Sequence, residues 1–282
     1  MMKYLVILLI ICTNSFSQNI KVSNAVEKEA IPYVNIWSQT SKIGTSTDEN
    51  GEFSIENFKT NDSLIFTAIG FETKKMILTE NVKSVYLTPQ VNHLKEVVLS
   101  PKKVIKSKSK KIKKAKYNVS SSEQNLITIT AKFIPYKIEY ENTPFLSSIN
   151  LYTFSLNPEA FILLHFYNVD ESGKPKDYLV SENVLFRPKK GSNLSKIDIS
   201  DLKLEIPENG LFIGIEVPKI EHNRTKASKE NYAEFKIKGY AIYEPLFRMS
   251  DAEEVKDTWN YSNGEWKVNT YLSLGIQLEL TN

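Results

Sequence analysis

A single cysteine, Cys12, is all the thiol chemistry available in 282 residues. It lies in the apolar run YLVILLIIC at residues 4–12. If that run is removed on export, no disulfide and no cysteine-based metal site remains, and stability must come from packing. The run is also too short for a comfortable bilayer crossing as a helix. No Gly-rich phosphate loop, nucleophile elbow or His-Glu-x-x-His motif occurs. No repeat relates the two halves. The strands that can be read are too few for a large transmembrane barrel and lack its lipid-facing alternation.

The N-terminus has the three parts of an export signal. Lys3 is a short basic region, residues 4–12 are the apolar region, and Ser15-Phe16-Ser17 offers small residues at cleavage spacing. Residues 1–17 therefore read as a signal peptide, with Gln18 starting the mature chain. The alternatives are an uncleaved anchor helix and a lipoprotein. Against the second, Ile10-Ile11 precede Cys12 where a lipobox needs small residues. Export of a thiol-free chain suits the periplasm or an outer-membrane association, with secretion also open.

Tyr, Phe, Ile, Val and Thr fill the recognisable runs, which favours strands over helices. The expected class is all-β, two antiparallel sandwiches in series. In the first domain, residues 18–100, the organising stretch is IGTSTDENGEFSI at residues 43–55. Two short alternating runs flank Asp48-Glu49-Asn50-Gly51, and Asn50-Gly51 supplies turn residues tolerant of positive φ. The stretch reads as a β-hairpin. Residues 33–37 alternate between faces as a strand. Residues 63–69, SLIFTAI, are nearly all apolar, so both faces should be buried.

The ordered series IPYVNI (31–36), IGTSTDENGEFSI (43–55), LIFTAIGFET (64–73), VYLTP (85–89) and LKEVVL (94–99) resembles the carboxypeptidase-regulatory-like domain. The resemblance covers about 80 residues and implies a transthyretin-like β-sandwich. Such domains stand at the N-termini of TonB-dependent outer-membrane receptors and in many exported envelope proteins. The usual Gly of the first strand is missing from Ile20-Lys21-Val22-Ser23. In the parent enzymes this domain accompanies the zinc peptidase and does no chemistry. His93-Leu94-Lys95-Glu96 has a zinc-like spacing, with His222 downstream, but it falls in the regulatory module; no metal, cofactor or catalytic residue is assigned.

Residues 101–124 read as a linker. Between 102 and 116 stand Lys102, Lys103, Lys106, Lys108, Lys110, Lys111, Lys113, Lys114 and Lys116, with no acid. Like charges this dense resist a packed core, giving a solvated spacer or a contact for an anionic membrane surface. A nucleic-acid groove would need stacking aromatics, and only Tyr117 is near.

The second domain, residues 125–282, reads as a jelly-roll-like sandwich. Residues 160–169, AFILLHFYNV, are the most apolar of the mature chain and read as a strand buried on both sides; residues 211–217 are similar. A loop is expected at 188–192, a strand at 240–243 and a hairpin at Asn263-Gly264. His165 reads as a hydrogen-bonded core histidine, and His222 as exposed. Asp170, Glu171 and Asp177 read as a solvated turn short of calcium ligands. Asp198 and Asp201 are no better as calcium ligands, and Glu205, Glu208 and Glu216 show no glycosidase spacing. The better lead is Trp259, Tyr261 and Trp266 around Asn263-Gly264: flat rings with a polar tip bind sugars or partners at small entropic cost. Against this stands simple packing of the hairpin onto the core. The expected function is an exported, non-enzymatic envelope protein that binds a protein or glycan partner and no nucleic acid. The alternative is an envelope hydrolase acting on cell-wall or polysaccharide substrates, marked by a pocket with converging titratable groups.

Overall fold

A computed structural model describes residues 19–90, 106–108, 117–122, 127–226, 241–252 and 257–282. The targeting segment, His93, Glu96, Tyr240 and the linker lysines other than Lys106 and Lys108 lie outside the described residues. Among the described residues the regular structure is almost all strand, as the β-rich runs predict.

The first sandwich has seven described strands: β1 (Asn19–Asn24), β2 (Asn35–Ser38), β3 (Gly44–Ser46), β4 (Glu52–Ser54), β5 (Ser63–Thr67), β6 (Lys74–Ile77) and β7 (Ser84–Leu87). They make a three-stranded sheet, β4-β1-β7, and a four-stranded sheet, β3-β2-β5-β6. Only β1 and β7 pair in parallel. Ile20, Val22, Phe53, Val85 and Leu87 from one sheet meet Ile36, Leu64 and Phe66 from the other in one core. Each such side chain contributes about 1.5–3 kcal/mol on full burial.

The hairpin expected at residues 43–55 is not formed. β3 pairs with β2, and β4 pairs with β1, so the turn carries the chain from one sheet to the other. Its local chemistry is that of a tight turn. The Asp48 carboxylate accepts hydrogen bonds from the Asn50 and Glu52 N–H groups at 2.9 and 2.8 Å, and Gly51 has φ +74°. A Cβ at Gly51 would lie 2.8 Å from the Val22 carbonyl oxygen, so β1 also needs a glycine there. The strand expected from residue 33 begins at Asn35, because Tyr33 sits at φ +58°.

The second sandwich has fifteen described strands: β8 (Lys106–Lys108), β9 (Tyr117–Ser122), β10 (Ile127–Ile134), β11 (Phe145–Ser155), β12 (Ile162–Val169), β13 (Pro175–Tyr178), β14 (Val184–Phe186), β15 (Gly191–Asp198), β16 (Leu211–Glu216), β17 (Arg224–Lys226), β18 (Ala241–Asp251), β19 (Thr258–Ser262), β20 (Glu265–Val268), β21 (Leu272–Leu274) and β22 (Ile276–Thr281). A seven-stranded sheet runs β13-β12-β16-β10-β19-β20, with β14 also on β12. An eight-stranded sheet runs β17-β18-β11-β22-β8, with β15 on β11 and both β21 and β9 on β18. Ile162, Leu164, Phe166, Leu211, Ile213 and Ile215 of the first meet Ile149, Leu151, Leu278 and Leu280 of the second.

Two pieces of the expected spacer are strands: β8 pairs with β22, and β9 with β18. The expected loop after residue 188 gives way at Gly191 to β15, which pairs along β11 from Ser148 to Ser155. The strand expected at 240–243 continues through Pro245 to Asp251. Pro245 falls where the pairing with β9 shifts between Tyr243 and Phe247, a position that needs no N–H donor.

Candidate functional site

Alternation along a strand gives each sheet two faces. The seven-stranded sheet packs one against its own sandwich. Its other face carries Ile129, Ala131, Tyr167 and Phe212, with Tyr178, Trp259, Tyr261 and Trp266 packed on them. The four-stranded sheet of the first domain likewise has a second face, on which Trp37 and Ile65 are buried. These two faces meet. Tyr33 packs edge-on to Phe161 at 5.1 Å, Thr45 Oγ1 donates to the Lys219 carbonyl at 3.3 Å, and Lys219 N–H donates to Ser46 Oγ at 3.2 Å. The sheets therefore stack in series. This explains why β5 and β12 lack the polar alternation of a solvent-facing strand.

The hairpin of β19 and β20 reaches across this seam. Tyr261 pairs opposite Trp266, and the turn has Asn263 at φ +54° and Gly264 at φ +77°, the geometry expected of Asn-Gly. A Cβ on Gly264 would lie 2.6 Å from the Trp37 ring. Gly264 thus serves the turn and admits the indole of the other domain. The Tyr261 hydroxyl lies beside Thr67 of β5.

Beside this clasp the sandwiches leave a cleft of about 420 Å3. Tyr167, Tyr178, Tyr261 and Trp266 form its aromatic wall, with Phe71 from the first domain. The rings contact one another: Tyr167–Tyr178 at 4.7 Å, Tyr261–Trp266 at 5.1 Å and Tyr167–Trp266 at 5.3 Å. Thr67, Glu72, Thr73, Gln90, Lys176 and Asp177 supply polar atoms around them. The volume lies in the range of small-molecule sites. Burial raises the pKa of Tyr167, Tyr178 and Tyr261, so all three are neutral hydroxyls at physiological pH.

Behind the wall lies a buried acid–base pair. His165 Nε2 and Glu216 Oε2 are 2.7 Å apart, and the residues are 3% and 1% exposed. Gly214 faces His165 across the ladder, which makes Glu216 its diagonal neighbour on the same face. A Cβ at Gly214 would approach Tyr167 to 3.0 Å and His165 to 3.3 Å. His165 stacks at 6.0 Å on Tyr167. The other atoms of the set, His165 Nδ1 and Glu216 Oε1, have no hydrogen-bond partner. The Tyr167 hydroxyl lies near that of Tyr178 but forms no well-aligned hydrogen bond.

The sequence-derived aromatics are thus split. Tyr261 and Trp266 line the cleft; Trp259 packs on Phe212 at 6.2 Å. Trp266 stands on β20, the end strand of its sheet, and all three side chains are partly exposed. His222 is half exposed, with Nδ1 3.5 Å from Glu49. The Asp170 carboxylate is taken by its own turn, accepting from Ser172 N–H and Oγ and from Lys174 N–H, each at 2.8 Å. Asp198 likewise caps Ser200. The sequence reading did not select Tyr167, Tyr178 or the partner of His165. A signal existed for both: His165 and Tyr167 are two apart in a strand, and Glu216 is the one charge in LFIGIEV.

No curated protein matches the chain. Two solved structures with which it aligns are those of infectious bursal disease virus, Gx strain (12% identity, TM-score 0.27) and Gt strain (9%, TM-score 0.26). Each alignment covers 93% of this chain and 62% of the other, so the chain spans less than two thirds of theirs. At such TM-scores the likeness carries no argument. Residues 21–99, less than a third of the chain, match the CarboxypepD_reg-like domain, and the first sandwich is such a domain.

Proposed function

We propose that the chain is an exported cell-envelope binding protein that holds its partner, a glycan or a protein, in the cleft between its two sandwiches. The carrying observation is the cleft itself, which has an aromatic wall from one domain and a polar rim drawn from both. The hydrolase alternative needs an acid and a base within reach of a bound substrate. His165 and Glu216 are buried behind Tyr167, but the cleft's own carboxylates, Glu72 and Asp177, stand at its exposed rim, one from each domain, so action on a bound glycan remains the second reading. Export is supported by the basic, apolar and small-residue order of residues 1–17. The lysines between 102 and 116 would add contact with an anionic membrane surface.

The test combines fractionation with cleft blocking. The full-length chain should be found in the envelope fraction after loss of residues 1–17. Extract components retained by the mature chain should be lost when Thr73, an exposed residue of the cleft lining, is changed to Trp. Retention unchanged by Thr73→Trp would place binding elsewhere and refute the proposal.

A further inference from the structure

We propose that the ligand of this cleft is a neutral saccharide, which stacks on Tyr261 and Trp266 and hydrogen-bonds to the polar rim. The inference rests on the binding-protein reading above and narrows it to one chemical class.

A sugar ring offers an apolar C–H face and a girdle of hydroxyls that both donate and accept. The cleft supplies the complement of each. The rings of Tyr178, Tyr261 and Trp266 line one side, Tyr261 and Trp266 tilted 56° to each other. Amide and carboxylate groups of Gln90, Glu72 and Asp177 stand at the rim, where each is exposed and able to orient a hydroxyl. Lys176 provides the one cation of that lining, against two acids, so an anionic polymer would meet no excess of positive charge.

Tyr167 lies beneath these rings at 2% exposure, with its hydroxyl beside that of Tyr178. A peptide fits less well. It would add to β13, the edge strand here, but β13 has four residues, begins with Pro175, and pairs irregularly with β12 between Tyr167 and Val169.

The experiment is a glycan array followed by calorimetry on the mature chain. Probes are neutral oligomers of glucose, mannose, xylose and N-acetylglucosamine, with uronate polymers and an envelope-protein digest as the other arms. At least one neutral oligomer is expected to bind. Trp266→Ala should weaken it about tenfold or more. Because Trp266 also packs the hairpin, Gln90→Ala and Asp177→Asn at the exposed rim are read in parallel, and each should lower affinity without changing the melting temperature. Binding confined to uronates or to peptides, and abolished by Thr73→Trp, would overturn the saccharide and leave the binding protein standing. Failure of every probe, with Thr73→Trp changing no envelope interaction, would overturn both.

Discussion

His165 and Glu216 share one hydrogen bond in a region with almost no water, and each also carries an unpaired polar atom. Breaking a buried pair by removing one partner is costly, since the other is left uncompensated. His165→Leu should therefore cost about 3–5 kcal/mol of stability. The double change His165→Leu/Glu216→Leu should recover most of that loss, and denaturant melts of the three proteins decide it. A different carboxylate contributes to acid sensitivity. Burial alone would raise the pKa of Asp62, but the Ser41 hydroxyl, 2.8 and 2.7 Å from its two oxygens and donating one hydrogen bond shared between them, and the Lys59 N–H at 3.1 Å outweigh it. The result lies below the ordinary 3.8. A carboxyl depressed in the folded state stabilises above its unfolded pKa and loses that contribution as pH falls through the folded one. Asp62→Asn should lower the melting temperature at neutral pH and have little effect below the folded pKa. At this scale the sequence was partly legible. His165 in an apolar run announced a bonded core histidine; its partner lies some fifty residues on, brought to it by strand register.

Turns were legible from their residues, whereas pairings were not. Asn263-Gly264 is a hairpin, while Asp48-Glu49-Asn50-Gly51, with equally good turn chemistry, links two different sheets. Nothing within four turn residues reports whether the flanking runs will pair with each other or with earlier strands. β15 went unread for a related reason: GSNLSKID has two apolar side chains, of which Ile197 is buried and Leu194 exposed. β11 recruits it through backbone hydrogen bonds. The hairpin of β19 and β20 yields a sharp prediction. Gly264→Ala adds a methyl at φ +77° and 2.6 Å from the Trp37 ring. It should cost about 1–3 kcal/mol from backbone strain alone. Paired with Trp37→Ala, which vacates the space, the substitution should cost measurably less. A double-mutant cycle reads the difference, and strict additivity would mean that the hairpin tip and the indole do not meet.

The seam between the sandwiches decides how the whole molecule behaves. β5 and β12, apolar on both faces, signalled burial on two sides, yet composition alone could not say that each domain supplies the cover for the other. Tyr33, Tyr167, Tyr178 and Tyr261 all lie at this seam, and burial holds each above the ordinary tyrosine value of 10.0. The folded chain thus keeps their protons at pH values where the unfolded chain gives them up. Folded pKa values above the unfolded ones mean full stability below pH 10, lost progressively as pH rises beyond it. In an alkaline titration followed by tyrosinate absorbance, these residues should lag behind the rest of the fourteen tyrosines. Their ionisation should coincide with loss of contact across the seam, read as faster proteolysis between the domains. Trp37→Ala, which opens the clasp beside Tyr261, should bring that step to lower pH. If the lagging tyrosines ionise without any change in cleavage, or the variant leaves the step in place, the two sandwiches hold together by something other than this face.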